Sequence, residues 1–472
     1  MTEMENEERP RSARRLRKQS RSSGKPADER PYIRDANRSS AKALDSATVR
    51  IGMVALALAV GFVIGLAVFC VMNLSTWLTG VLWNGATGDM PTVWFPLAIC
   101  ALGGVLIGVW TWWSHDQVKP LEEVMAEFKA TGSYRTQGAV KPVITFLLPL
   151  VFGGSIGFEA GLTGIITAAC CWIRDRLKAA GLRAGAVADV TIAASMAAIF
   201  GTPLAGIVAG AESAPADGED VLEEPDVNDY NMRRGVKIVL YTAAAFGAFG
   251  GIALFSHVFG TSGGLPRFEP ITAAYTELLW AIPCIAVAYI MTLLFHGATR
   301  LFQGVGALMG EGPLGVIGRP VIAGIVMGAL ACVLPLVLFP GETQSEYLME
   351  AWTGMGAIVL LATGLLKATV TPMCLNMGWI GGNFFPSIFA GVAAGYGLAA
   401  LTGADPMLMV TVTATAFLAG VIRKPLLVLA ILFLCFPVQG LIWMGLAAII
   451  GATLPLPKIV RPSEGGPHSS AS

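Results

Sequence analysis

The sequence predicts an all-α polytopic membrane protein, and three observations predict it. Of 472 residues, 54% are hydrophobic and only 14% charged, where a soluble domain carries about 25% charged residues. Mean hydropathy is +0.64. From Ile51 onward, apolar stretches of roughly the ~20 residues that cross a bilayer follow one another with little polar chain between them. In hydrocarbon every backbone N–H and C=O must pair within the chain, so such stretches read as helices.

Residues 1–47 stand apart. They are rich in Arg, Ser, Glu and Pro and nearly free of large aliphatics, so they bury too little apolar surface to offset their ordering entropy and read as a disordered tail. The tail is no signal peptide, because no short apolar core with a small-residue cleavage site follows its basic stretch. Arg9, Arg11, Arg14, Arg15, Arg17, Lys18 and Arg21 precede the first span, which predicts a cytoplasmic amino terminus. The membrane domain is expected over 48–457, with about ten apolar regions by length. They lie near 51–72, 93–113, 143–173, 187–211, 236–258, 273–295, 316–340, 354–378, 384–403 and 407–450. The polar stretch 212–235 reads as the joint between two halves. The tail 458–472 is short and polar, cytoplasmic by the same reading, with no appended regulatory domain expected.

Several apolar regions are cut by Gly and Pro: at 152–157, at Gly201-Thr202-Pro203 and at Gly378-Trp379-Ile380-Gly381-Gly382. Unwound backbone at membrane depth is tolerated where protein buries it or where it lines a polar cavity. Breaks in corresponding parts of two halves point to a transport site at mid-membrane.

Composition argues against other classes. Thirty-two basic and 32 acidic residues give zero net charge, so nothing points to nucleic acid. Eight cysteines, each in or beside an apolar run, show no zinc or disulfide spacing. His115, His257, His296 and His468 form no His-x-x-x-His pair. With no metal cluster and no nucleophile–His pair, the chain reads as a protein that is not an enzyme and needs no cofactor.

Glu159 is the first candidate functional residue. It follows Phe152-Gly153-Gly154-Ser155-Ile156-Gly157-Phe158 and precedes the apolar run Leu162 to Trp172. A helix starting here offers unpaired N–H groups and a positive dipole end to an anion, or to the carboxylate itself. Ionisable groups within membrane are expensive and tend to be functional; the alternative is a first-turn acid that stabilises only its own helix. The break at Gly381-Gly382-Asn383-Phe384-Phe385-Pro386 leaves the amides of Asn383 and Phe384 free to face an anion. Lys119 reads equally as surface or pore. Lys367, in the apolar run from Leu360, reads equally as an internally satisfied or a functional charge.

In order, these features resemble the CLC family of chloride channels and proton-coupled chloride antiporters. Gly157 and Glu159 match the family's G-R-E-G-P motif with its external gating glutamate. Thr202-Pro203-Leu204-Ala205-Gly206 resembles A-P-L-A-G, Gly381 to Pro386 resembles G-G-x-F-x-P, and Ala419 to Leu426 resembles the segment before the last core helix. The resemblance covers nearly all of 50–455. It implies an inverted-repeat architecture with broken, tilted helices, a homodimer with one pathway per subunit, and a multi-pass protein of the cell membrane touching lipid.

Departures from the pattern are equally specific. G-R-E-G-P reads Gly157-Phe158-Glu159-Ala160-Gly161 here, with Phe158 in place of Arg and Gly161 in place of Pro. The chloride-coordinating Ser of G-S-G-I-P falls at Gln117, and the central Tyr falls near Gln439 by ungapped counting from Pro425. A Gln amide can donate where those hydroxyls donate. The inner proton-relay Glu falls at Ser213, beside Glu212. The resemblance therefore implies movement of a small inorganic anion, chloride first, held by Gly157, Phe158, Asn383, Phe384, Gln117 and Gln439. Glu159 would be the gate, with Glu212 and Ser213 marking a possible proton path and coupling to protons weak or absent. The alternatives are a proton-coupled chloride antiporter, or transport of fluoride or another small anion.

Overall fold

A computed structural model of the chain describes residues 47–85, 94–114, 140–159, 187–213, 234–260, 265–272 and 279–457. Both predicted tails, most of the joint, Gln117 and Lys119 lie outside the described residues. The chain divides into two compact units, Met1–Ala55 and Leu56–Ser472. Of the first, only Ala47–Ala55 is described: the opening turns of the first helix.

Fourteen α-helices account for most of the described residues. They are α1 Ala47–Gly85, α2 Phe95–Ser114, α3 Val140–Val151, α4 Val187–Phe200, α5 Pro203–Ser213, α6 Arg234–Phe259 and α7 Ala281–Met309. The later ones are α8 Pro313–Ala331, α9 Glu342–Ala351, α10 Ala357–Asn376, α11 Phe384–Thr402, α12 Pro406–Ile422, α13 Pro425–Leu432 and α14 Leu441–Thr453. Seven of them (α1, α2, α6, α7, α8, α10, α11) are long and apolar enough to cross a membrane. The apolar regions 187–211 and 407–450 are chains of short helices, α4–α5 and α12–α13–α14, the first cut at the expected break Gly201-Thr202-Pro203. The reason is local: Gly201 at φ 63° turns the chain before Pro203, and Arg423 at φ 63° does so before Pro425.

The buried centre is made by α7, α10, α11 and α12. Residues Phe385 to Ala399 of α11 and Met407 to Val421 of α12 are buried around the whole helix circumference. A helix apolar on every face belongs inside, surrounded by other helices. Outward-facing Leu, Ile, Val and Trp side chains on α1, α2, α6 and α7 are exposed, as a lipid-facing surface requires. Asp405 ties the core to the preceding segment. Its side chain caps α12 through the Leu408 N–H (2.8 Å) and also accepts the Thr272 N–H (2.8 Å) and hydroxyl (2.6 Å).

Helices approach closely where side chains vanish. The backbone of α2 at Cys100 lies directly against Gly324 of α8, and Gly104 of α2 against Pro320 and Val321. Small residues at such seams let dispersion contacts replace the hydrophobic drive that is missing between helices in lipid. Gly324→Leu is expected to force α2 and α8 apart and to destabilise the protein by about 1–3 kcal/mol. Thermal unfolding in detergent checks it, and an unchanged midpoint would show that this seam does not bear on stability.

Candidate functional site

Three of the predicted breaks meet at one place. α3 ends after Val151, and Gly153 at φ 89° sends the chain into an irregular loop. Its turn is closed by Gly154 N–H to the Pro149 carbonyl at 2.8 Å. The loop reaches Gly157, which forms an antiparallel pair with Gly382: Gly157 N–H to Gly382 O at 2.8 Å and Gly382 N–H to Gly157 O at 2.9 Å. Glu159 follows at a first helical position, only 4% exposed.

The Glu159 carboxylate lies on the bare Cα atoms of both glycines. A methyl group at Gly157 or at Gly382 would overlap its Oε2. Oε1 accepts the N–H of Phe385 at 3.0 Å, and the N–H groups of Phe384 and of Glu159 itself also reach the carboxylate. Phe384 and Phe385 are the first two residues of α11, whose leading N–H groups have no partner inside their own helix. The carboxylate supplies the partner and sits at the positive end of the α11 dipole. This places a negative group on the N-terminus of a helix enclosed on every side.

Aromatic rings on the residues next to the seat pack on one another. Phe158 meets Phe385 edge-on at 5.6 Å, Phe200 stacks on Phe385 at 5.5 Å, and Phe200 lies 5.3 Å from Phe384. Phe200 arrives from the second break, where Thr202 donates its hydroxyl to the Ala430 carbonyl (3.3 Å). The third break is fixed by fully buried Trp379, whose ring N–H reaches the Pro320 carbonyl at 2.9 Å. Within the loop, the Ser155 hydroxyl pairs with that of Thr371 at 3.1 Å.

The structure redistributes the expected roles. The donors facing the anionic group are Phe384 and Phe385, one residue later than Asn383 and Phe384. Asn383 occupies the position before the helix, where its carbonyl accepts Ser387 N–H (3.1 Å). The Gly157 N–H is occupied by Gly382, so Gly157 contributes an open seat, and Phe158 contributes its ring. Gln439 does not join them. It is exposed on the 3₁₀ turn Val438–Gly440, without a hydrogen bond to the Glu159 seat, because the chain bends after the eight-residue α13 and ungapped counting overruns it. Glu212 is exposed in the last turn of α5, and Ser213 ends that helix. The contributions of Phe385, Phe200 and the Ser155–Thr371 pair were missed. Only Phe385 carried a signal, as the second residue of a helix preceded by Gly-Gly.

Fold and site together define a polytopic membrane protein whose broken helices converge on a buried carboxylate. The family model described as "Voltage gated chloride channel" matches residues 103–455, and the chain belongs to this family, the CLC family of anion-transport proteins. A curated relative, chloride channel protein CLC-e of Arabidopsis thaliana, is 32% identical over 133 residues. That match covers 24% of this chain and 19% of CLC-e, so the chain aligns with about a fifth of that relative's length. Among solved structures, a CLC-type fluoride/proton antiporter aligns with TM-score 0.64 at 15% identity, over 86% of this chain and 96% of that one. A slow cyanobacterial Cl⁻/H⁺ antiporter aligns with TM-score 0.62 at 16% identity, over 84% and 94%. A eukaryotic CLC transporter aligns with TM-score 0.60 at 16% identity, over 86% and 71%. The fold is the CLC fold.

Gly382→Ala tests the seat. The added methyl is expected to expel the Glu159 side chain and to lower stability by about 1–3 kcal/mol. A structure of the variant with the carboxylate still bonded to Phe385 N–H would show that the seat tolerates a Cβ.

Proposed function

We propose that this protein moves a small inorganic anion, chloride in the first instance, across the cell membrane, and that Glu159 is its gate. The observation that carries the reading is the Glu159 carboxylate resting on Gly157 and Gly382 with the α11 amides of Phe384 and Phe385 turned to it. A site that holds a carboxylate by backbone N–H groups, without a full opposite charge, suits a halide that must bind and leave again. Ionised Glu159 occupies the seat; protonated or swung out, it yields to the anion. The protein acts as a homodimer with one pathway per subunit and both termini cytoplasmic, as the family resemblance implies. It catalyses no chemical reaction and needs no cofactor.

Coupling to protons is weak or absent in this reading. The inner relay position is Ser213, and a hydroxyl, with no accessible ionisation, cannot take up and release a proton as a carboxylate does. Glu212 is adjacent, but one residue along a helix turns about 100° away. Fluoride is the second reading, favoured by the likeness of the fold to that of a CLC-type fluoride/proton antiporter.

Three measurements follow. In proteoliposomes, wild-type chloride flux is expected to rise as pH falls, because protonation withdraws the competing carboxylate. Glu159→Gln is expected to raise flux several-fold at neutral pH and to flatten that profile, and an unchanged profile would remove Glu159 as the gate. In Glu159→Ala crystals soaked in bromide, anomalous density is expected within hydrogen-bond reach of the Phe384 and Phe385 nitrogens; density only at the protein surface would sink the site. A chloride gradient is expected to drive anion flux without sustained uphill proton transport. Proton pumping at a fixed ratio would establish an antiporter, and its loss in Glu212→Gln would give Glu212 the inner role.

A further inference from the structure

Lys367 lies in the middle of α10 with no exposed surface. Its Nζ donates to three consecutive carbonyls, Val337 (3.2 Å), Leu338 (2.9 Å) and Phe339 (2.7 Å), and stands 4.7 Å over the centre of the Phe389 ring. An ammonium has three N–H donors, and a neutral amine has two plus a lone pair that would face the third carbonyl. The geometry is therefore that of the charged form, stabilised by three charge-assisted bonds and a cation–π contact. None of these partners is a carboxylate. Glu342, three residues beyond Phe339 at the start of α9, is pushed up to about 8, first by burial and then by Glu346.

The three carbonyls converge because the chain curls there. The 3₁₀ turn Pro335–Val337 is followed by Phe339 at φ 62°, in the left-handed region that a bulky side chain avoids. What holds Phe339 in this conformation also holds the gate loop. Its N–H donates to the Gly153 carbonyl at 3.1 Å, and its ring meets Trp83 edge-on at 5.0 Å. Trp83 in turn donates to the Val151 carbonyl at 2.9 Å. One helical turn along α10, Thr371 pairs with Ser155 of the same loop.

We propose that Lys367 is a positioning residue for the Glu159 gate. Its ammonium gathers the Val337–Phe339 carbonyls into a strut, and the strut fixes Gly153 at the root of the loop that carries Glu159. This inference rests on the gate reading above, and its test separates the two.

Hydrogen exchange of the full-length protein in detergent reads the strut without reference to transport. In Lys367→Met the Phe339 amide is expected to exchange about tenfold faster or more, with the α12 amides unchanged. Lys367→Arg, which keeps charge and donors, is expected to restore slow exchange. Lys367→Gln replaces Lys367→Met if the latter does not fold. Flux through the same variants, compared between about pH 5 and pH 7 to stay below the Glu342 titration, reads the gate. Loss of the wild-type pH dependence in Lys367→Met and its recovery in Lys367→Arg support the proposal. Unchanged Phe339 exchange in Lys367→Met, or in Lys367→Gln, overturns it. Faster exchange with a wild-type pH profile also overturns it, leaving Lys367 a purely structural clamp. If wild-type flux proves independent of Glu159, the gate reading falls, while exchange still decides whether Lys367 holds the strut.

Discussion

Between Gly157 and Gly382, two N–H···O=C bonds of 2.8 and 2.9 Å join loops from distant parts of the chain. Backbone polar groups without partners at membrane depth are costly, by several kcal/mol each, and these loops expose such groups wherever a helix has been interrupted. The paired glycines satisfy two donors and two acceptors at once and set the loops at a fixed separation. That separation leaves room for one small negative group over two bare Cα atoms, beside the unpaired amides that open α11. Glu159 fills it from within the chain. The same demand for partners thus joins the loops and defines a place for an anion.

Support for this contact comes from all around it. Trp379 anchors the second loop to the Pro320 carbonyl of α8, and α8 is pressed against α2 along a glycine seam. The first loop is held at Ser155 by Thr371 and from its root by Phe339 and Trp83. α11, which presents the amides, is buried over fifteen consecutive residues from Phe385 to Ala399. A helix so enclosed has little freedom to shift its first turn, so the donors that meet the Glu159 carboxylate are held in place in advance, as preorganised electrostatic sites require.

Much of this was legible in the sequence. Apolar length and low charge set the class, and the Gly-Pro punctuation marked the breaks that the structure brings together. Glu159 stood out because a carboxylate amid glycines and apolar residues has few reasons to be there. Pairwise detail was not legible. The donors are Phe384 and Phe385 because Asn383 sits before the helix start, a boundary that sequence fixes only to within a residue or two. Gln439 was placed by counting across a break, and counting fails where an eight-residue helix bends into a 3₁₀ turn. The rings next to the seat and the carbonyl cage of Lys367 are tertiary facts, assembled from segments with no shared local pattern.

The span of chain between the two sides of the seat has a consequence for biogenesis. Phe385 N–H and the Glu159 carboxylate that accepts it are 226 residues apart, and ribosomes add roughly 5–20 residues per second. For roughly 10–45 s after Glu159 is made, the loop that carries it therefore waits for the residues that its carboxylate and glycine amides bond in the finished fold. Water, lipid headgroups or the insertion machinery must solvate the carboxylate and amides until the second half emerges. The buried carboxylate seat therefore comes into being late, only once the chain has reached Phe385.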